Sequence, residues 1–237
     1  MTLAKSIFQI AIFILAFAVF NSCGKDAELP ELTTAEVADI LEPALQKASG
    51  GLSQYIQALI DNVAEISMDG VCDSVYSKMV VYNNSGAVIQ GAYSSDWIFD
   101  LNCNNLSIPQ SAAYTASADA TYSTSRIISA DDISFSGMLE GLPASLDIYD
   151  LICTYTRIGT QEFTGADPKS LNSSLVMNLM NIEIEKAANI IQSGTGTFTL
   201  VGDIDGTNIS NAGSITFNGG GTATLTIDGE TFEVDLD

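Results

Sequence analysis

From residue 71 onward, apolar and polar side chains alternate along the chain. Tyr114, Ala116, Ala118, Ala120 and Tyr122 interleave with Thr115, Ser117, Asp119, Thr121 and Ser123. Trp97, Phe99 and Leu101 keep the same rhythm, as do Ile133 and Phe135. A period of two buries one face of a strand and wets the other, which is the habit of antiparallel sheets. The small alanines between tyrosines predict a close approach by another element, for which the helices upstream are the candidate. Asp228-Gly229 suits a two-residue type I′ turn and pairs Leu225 with Phe232, Thr224 with Glu233 and Ala223 with Val234. Ile215 and Phe217 mark the preceding strand, joined through Asn218-Gly219-Gly220-Gly221, and Phe198 and Leu200 mark the one before it. Residues 171–192 fit either period; strand is favoured because meander neighbours flank them.

Before residue 69 the period is helical. Thr33-Thr34-Ala35-Glu36 forms a capping box, and Val37, Ile40, Leu41 and Leu45 follow on one face. Pro43 is expected to kink or shorten that helix, and Gly50-Gly51 to end it. Leu52, Ile56, Leu59, Ile60 and Val63 then build a second amphipathic helix. The pair has one apolar side, which packs on the following sheet or docks to a partner. The fold class is mainly β (α+β), with the N-terminal helical pair packed on a curved antiparallel meander sheet or sandwich. The segments are 1–22, 23–32, 33–68 and 69–237.

Composition narrows the chemistry. The chain has 237 residues with 29 acidic and 8 basic side chains, a formal charge of −21. Nucleic acids and anionic headgroups need a basic footprint, so neither is an expected partner. There is no histidine, which removes His-assisted nucleophilic catalysis and imidazole zinc sites. Arg126 and Arg157 are the only arginines, too few for a phosphate-gripping cluster.

The apolar run Ile7 to Phe20, interrupted only by Gln9 and preceded by Lys5, has a different meaning. Its length is short of the roughly 20 residues that cross a bilayer but suits the core of a signal peptide. Phe20-Asn21-Ser22-Cys23 follows, and resembles the lipobox of bacterial lipoproteins. The resemblance covers only these first two dozen residues. It implies that the signal, 1–22, is cut before Cys23 and that Cys23 carries the lipid, a diacylglyceryl group, with acylation such as palmitate on its new amine. Cleavage near Ala16-Phe17-Ala18 is the competing reading and leaves Cys23 a plain thiol. Two or more chains anchor a protein stably where one holds it marginally. Removal of residues 1–22 takes one lysine and no acid, so the tethered part is more acidic still. Gly24-Lys25-Asp26-Ala27-Glu28 resembles the short tags that export some Gram-negative lipoproteins to the cell surface. The implied location is the outer membrane of a Gram-negative envelope, with the domain on a tether of about 30 Å when extended, facing the exterior.

Cys72, Cys103 and Cys153 remain. An odd number allows one bridge, and Cys72 with Cys103 is the expected pair because both flank segments that pair as neighbours. Closing a loop of about 32 residues is worth roughly 3–4 kcal/mol by the chain-entropy argument. Asp203-Ile204-Asp205-Gly206-Thr207-Asn208 resembles the opening of a calcium loop, but position twelve is Ser214, and a tight Asp-Gly turn explains it equally. The adjacent carboxylates Asp131-Asp132, Glu183/Glu185 and Asp235/Asp237 read as solvated faces rather than as a glycosidase pair. Asp73-Ser74-Val75 resembles a bacterial O-glycosylation acceptor, and equally a strand start. No catalytic residue, metal site or cofactor is expected. Two functions follow: a non-enzymatic, membrane-tethered binding or adhesion protein with a protein or glycan partner, or a carrier of an apolar ligand inside a helix-lidded curved sheet.

Overall fold

The computed structural model of the protein describes residues 32–69, 71–165 and 168–237. Cys23 and the apolar run before it lie outside the described residues.

Helix α1, Thr34–Leu45, starts as the capping box dictates: Thr33 Oγ1 accepts from Glu36 N at 3.2 Å, and Glu36 Oε2 accepts from Thr33 N at 2.9 Å. Two of the four unpaired amide donors at the helix start are satisfied this way. Pro43 sits in the last turn, and the helix ends two residues later at Leu45, with Gln46 already extended. The proline therefore shortens α1. The turn that follows requires glycine: Gly50 has φ +73°, and a Cβ on Gly51 would lie 2.5 Å from the Pro43 carbonyl oxygen. Helix α2, Leu52–Asp69, then buries Leu52, Tyr55, Ile56, Leu59, Ile60, Val63 and Ile66 on one face.

The alternating region forms one sheet of ten strands: β1 Val75–Ser85, β2 Gln90–Cys103, β3 Pro109–Ser123, β4 Ile127–Glu140, β5 Ile148–Phe163, β6 Ser170–Glu185, β7 Ile190–Ile204, β8 Thr207–Gly219, β9 Thr222–Ile227 and β10 Glu230–Asp235. Their order in space is their order in sequence, so this is a pure antiparallel meander and not a sandwich. At the C-terminal hairpin Asp228 and Gly229 have φ of 50° and 85°, and Leu225 opposes Phe232, Thr224 opposes Glu233 and Ala223 opposes Val234. The ambiguous stretch is β6. Its apolar residues Leu179 and Ile182 are three apart yet both buried, because a bulge at Asn181, φ 54°, shifts the register between Met180 and Glu183. That spacing of three is what mimicked a helix.

The helices lie on the inner face. Tyr55 of α2 stacks on Tyr93 and Trp97 of β2, at centroid distances of 4.7 and 5.8 Å, and meets Phe135 of β4 and Tyr155 of β5 edge-on, at 5.8 and 5.6 Å. Its ring thus spans β3, whose inward positions in this stretch are Ala116, Ala118 and Ala120. The alanines leave the room that the tyrosine occupies. Both sheet edges reach the same turn: Tyr82 Oη of β1 donates to the Lys47 carbonyl at 2.8 Å, and Lys47 N donates to the Leu236 carbonyl, just past β10, at 2.8 Å. The sheet curls around the helical pair without closing.

Replacing Tyr55 by alanine should lower unfolding free energy by about 3–5 kcal/mol, as for other buried aromatic truncations. Its hydroxyl is buried without a hydrogen-bond partner, so Tyr55→Phe should leave stability unchanged or raise it. Urea denaturation of the two variants measures both outcomes.

Candidate functional site

Among the described residues the inner face holds one buried charged cluster. Alternation in β4 points Asp131 inward in phase with Ile133 and Phe135, and alternation in β5 points Arg157 inward in phase with Tyr155. Arg157 Nη2 lies 2.9 Å from Asp131 Oδ2, and the guanidinium sits 4.5 Å above the Tyr122 ring centroid. Ser129 Oγ donates to Asp131 Oδ2 at 2.6 Å, and Gln161 Nε2 donates to Asp131 Oδ1 at 2.8 Å. Ser173 Oγ completes the chain by donating to Gln161 Oε1 at 2.6 Å. Gly159 opposes Asp131 across the β4–β5 ladder, where a Cβ would lie 2.6 Å from Asp131 Oδ1, so the cluster exists only with glycine there.

This cluster resembles catalytic machinery in composition but not in access. Both side chains of the ion pair are at most 4% exposed. Burial raises the Tyr155 and Tyr122 phenols to about 12, against the opposing pull of the Arg157 cation. Among the described residues the three guanidinium nitrogens have no well-aligned acceptor, and the nearby Tyr55 and Tyr155 hydroxyls are also unpaired. Asp131 accepts two hydrogen bonds, pairs with the Arg157 charge and has a side chain almost wholly removed from solvent. It holds the arginine in place and has no route to a substrate.

The outer face is the accessible one. Its cross-strand row Ser94, Asp119, Asp132, Ile158, Ser174 and Val201 runs from β2 to β7 through directly opposed positions. Beside it runs a second row that includes Asn83, Thr121, Thr160, Asn172 and Asp203. Together they floor a shallow trough across the strands, with open volumes of about 590 Å³ over β1–β5 and about 630 Å³ over β5–β8. Among the described residues no basic one lines either part, and Asp119 directly opposes Asp132. Like charges in direct opposition destabilise a sheet, and they leave the trough electronegative. Every aromatic ring among the described residues is buried or packed against the core, so the trough is a hydrogen-bonding, acidic surface without a stacking platform.

The sequence-predicted residues fall as follows. Cys72 and Cys103 are joined by a disulfide that ties the end of the β1–β2 pair. Cys153 is a free buried thiol on the inner face of β5, pushed up to about 12 by burial. Asp205 and Gly206 form the β7–β8 turn with φ of 52° and 84°, and Asp203 Oδ1 accepts from Gly206 N at 2.9 Å. Asp203 is thus occupied as a turn residue. Asp131 and Asp132 point to opposite faces, whereas Glu183 and Glu185 accept from Ser193 and Gln192 respectively, each at 2.8 Å. Asp235 and Asp237 are exposed at the C-terminal end of the chain, and Val75 begins β1 just after Ser74. None of these is brought together with another as a site. Sequence reasoning overlooked the Asp131–Arg157 pair, although the strand period alone places both residues on the buried side.

Asp131→Asn should cost about 3–5 kcal/mol by leaving a buried arginine uncompensated, whereas Asp131→Leu with Arg157→Met should cost far less; chemical denaturation of the two variants decides between them. Native Cys153 should resist iodoacetamide at pH 8 and react fully in denaturant, as peptide mass mapping reads directly. No family model matches the chain, and neither does any curated protein or solved structure.

Proposed function

We propose that the protein is an envelope lipoprotein, anchored through lipid on Cys23, whose domain works as a non-enzymatic binding module facing the cell exterior. The outer trough is its recognition surface. The observation that carries this reading is the division of the two faces: among the described residues all aromatic and most apolar side chains serve the interior, while the outer face presents Asn, Thr, Ser and Asp in open rows. The outer face of the ten strands carries no aromatic ring among the described residues, which favours a protein partner over a glycan, since sugar rings are commonly gripped by stacking on aromatic faces. The acidic floor favours a partner with basic or neutral donors and repels anionic ones.

The carrier reading is less well supported. The space between α2 and the sheet is filled by Tyr55, Trp97, Phe135 and Tyr155, all fully buried. The pocket beside the start of α2, bounded by Ile56, Ile191, Gly221 and Leu236, has about 220 Å³, below the range of roughly 300–1,000 Å³ typical of ligand sites.

Cys23→Ser should abolish incorporation of labelled palmitate and move the protein from the membrane to the soluble fraction. Protease shaving of intact cells should release the domain from the unaltered protein. Retention of label in the variant removes the anchor, and full protection from protease removes surface display. Native mass spectrometry of the chain from its own host should find no apolar ligand; a stoichiometric one restores the carrier.

A further inference from the structure

The two edges of the sheet are treated differently. The β10 edge is six residues long, carries Glu230, Glu233 and Asp235, and is covered in part by α1 and its following turn, through Thr34 Oγ1 on Glu230 and Lys47 N on the Leu236 carbonyl. Short length, charge and a covering helix are the usual means of blunting an edge. The β1 edge is longer and carries a single charge, and the turn after α1 meets it only through the Tyr82 and Asn84 side chains near its end. It runs eleven residues in unbroken register with β2, with no proline or bulge, and its one charge, Lys78, is paired with Glu65. Among the described residues no backbone bond is made to its free side.

Exposed apolar side chains gather at the same place. Among the described residues, seven large hydrophobics are more than two-thirds exposed, and all but Leu106 lie between Met68 and Val88. Val75, Met79 and Val81 stand on the outer side of β1 itself, at 69%, 69% and 67% exposure. On a chain of formal charge −21, this edge is the one long backbone ladder that an identical, equally acidic molecule approaches without opposing like charges.

We propose that a second copy of this chain pairs with β1, antiparallel about a two-fold axis at Val80, so that the two sheets run on as one. In that register Met79 of each copy faces Val81 of the other, and Lys78 faces Tyr82. Such an interface is isologous and closed, which stops further growth along the edge. Backbone hydrogen bonds supply its affinity and the Met79–Val81 pairs its register.

The test is sedimentation equilibrium of the purified full chain in density-matched detergent, with far-UV circular dichroism to check folding. The unaltered chain should sediment at twice the mass of one chain. Met79→Lys with Val81→Lys places like charges in direct opposition and should halve that mass. Met79→Glu with Val81→Lys makes the two positions complementary across the axis and should restore the dimer. A monomer at tens of micromolar overturns the proposal and leaves the edge to an extended segment of another protein. A dimer indifferent to both double variants overturns it too, placing self-association elsewhere.

Discussion

The seat of Tyr55 over β3 is the contact on which the rest of this fold depends. A helix cannot approach a sheet closely where the inward side chains are large, and β3 supplies alanine at three successive inward positions under this ring. The aromatic neighbours then come from the flanking strands, Tyr93 and Trp97 on one side and Phe135 and Tyr155 on the other. One tyrosine thereby ties three strands, β2, β4 and β5, to the helix by ring packing. The curl of the sheet follows, because the turn after α1 sits where both edge strands reach it.

That arrangement also explains where the charge went. A curled sheet with helices inside buries the inner rows of its central strands, so the polar residues that the chain places there must satisfy one another. Asp131, Arg157, Ser129, Gln161 and Ser173 do so as one chain of contacts. A buried ion pair of this kind contributes little net stability, since desolvation offsets the attraction. Its effect is to make the packing specific, with Gly159 as the vacancy that lets the carboxylate and guanidinium meet. The outer face is left with the acidic residues that water can solvate, and with no ring to offer.

Much of this was legible in the chain before any coordinates. The capping box at Thr33 and Glu36 and the hairpin at Asp228-Gly229 were readable because both are local: a side chain meets a backbone three residues away, or two positive φ angles set a register. The alternation in β2, β3 and β4 was readable because one face is wet. The β6 stretch was ambiguous for an equally physical cause, since a bulge at Asn181 turns two residues three apart to the same side and imitates helical spacing.

What the sequence determined by itself was therefore the mainly β class with its helical preface, the buried side of the strands whose alternation is plain, and the residue types from which any chemistry must be made. These follow from short-range geometry and from composition. Which side chains meet was decided only by the tertiary structure. Asp131 and Arg157 are 26 positions apart in the chain, and nothing local states that their strands are neighbours or that Gly159 stands between them. The trough on the outer face, and the contrast between a covered β10 and an open β1, likewise arise from the order and curl of ten strands, which depend on how the helices fill the inside.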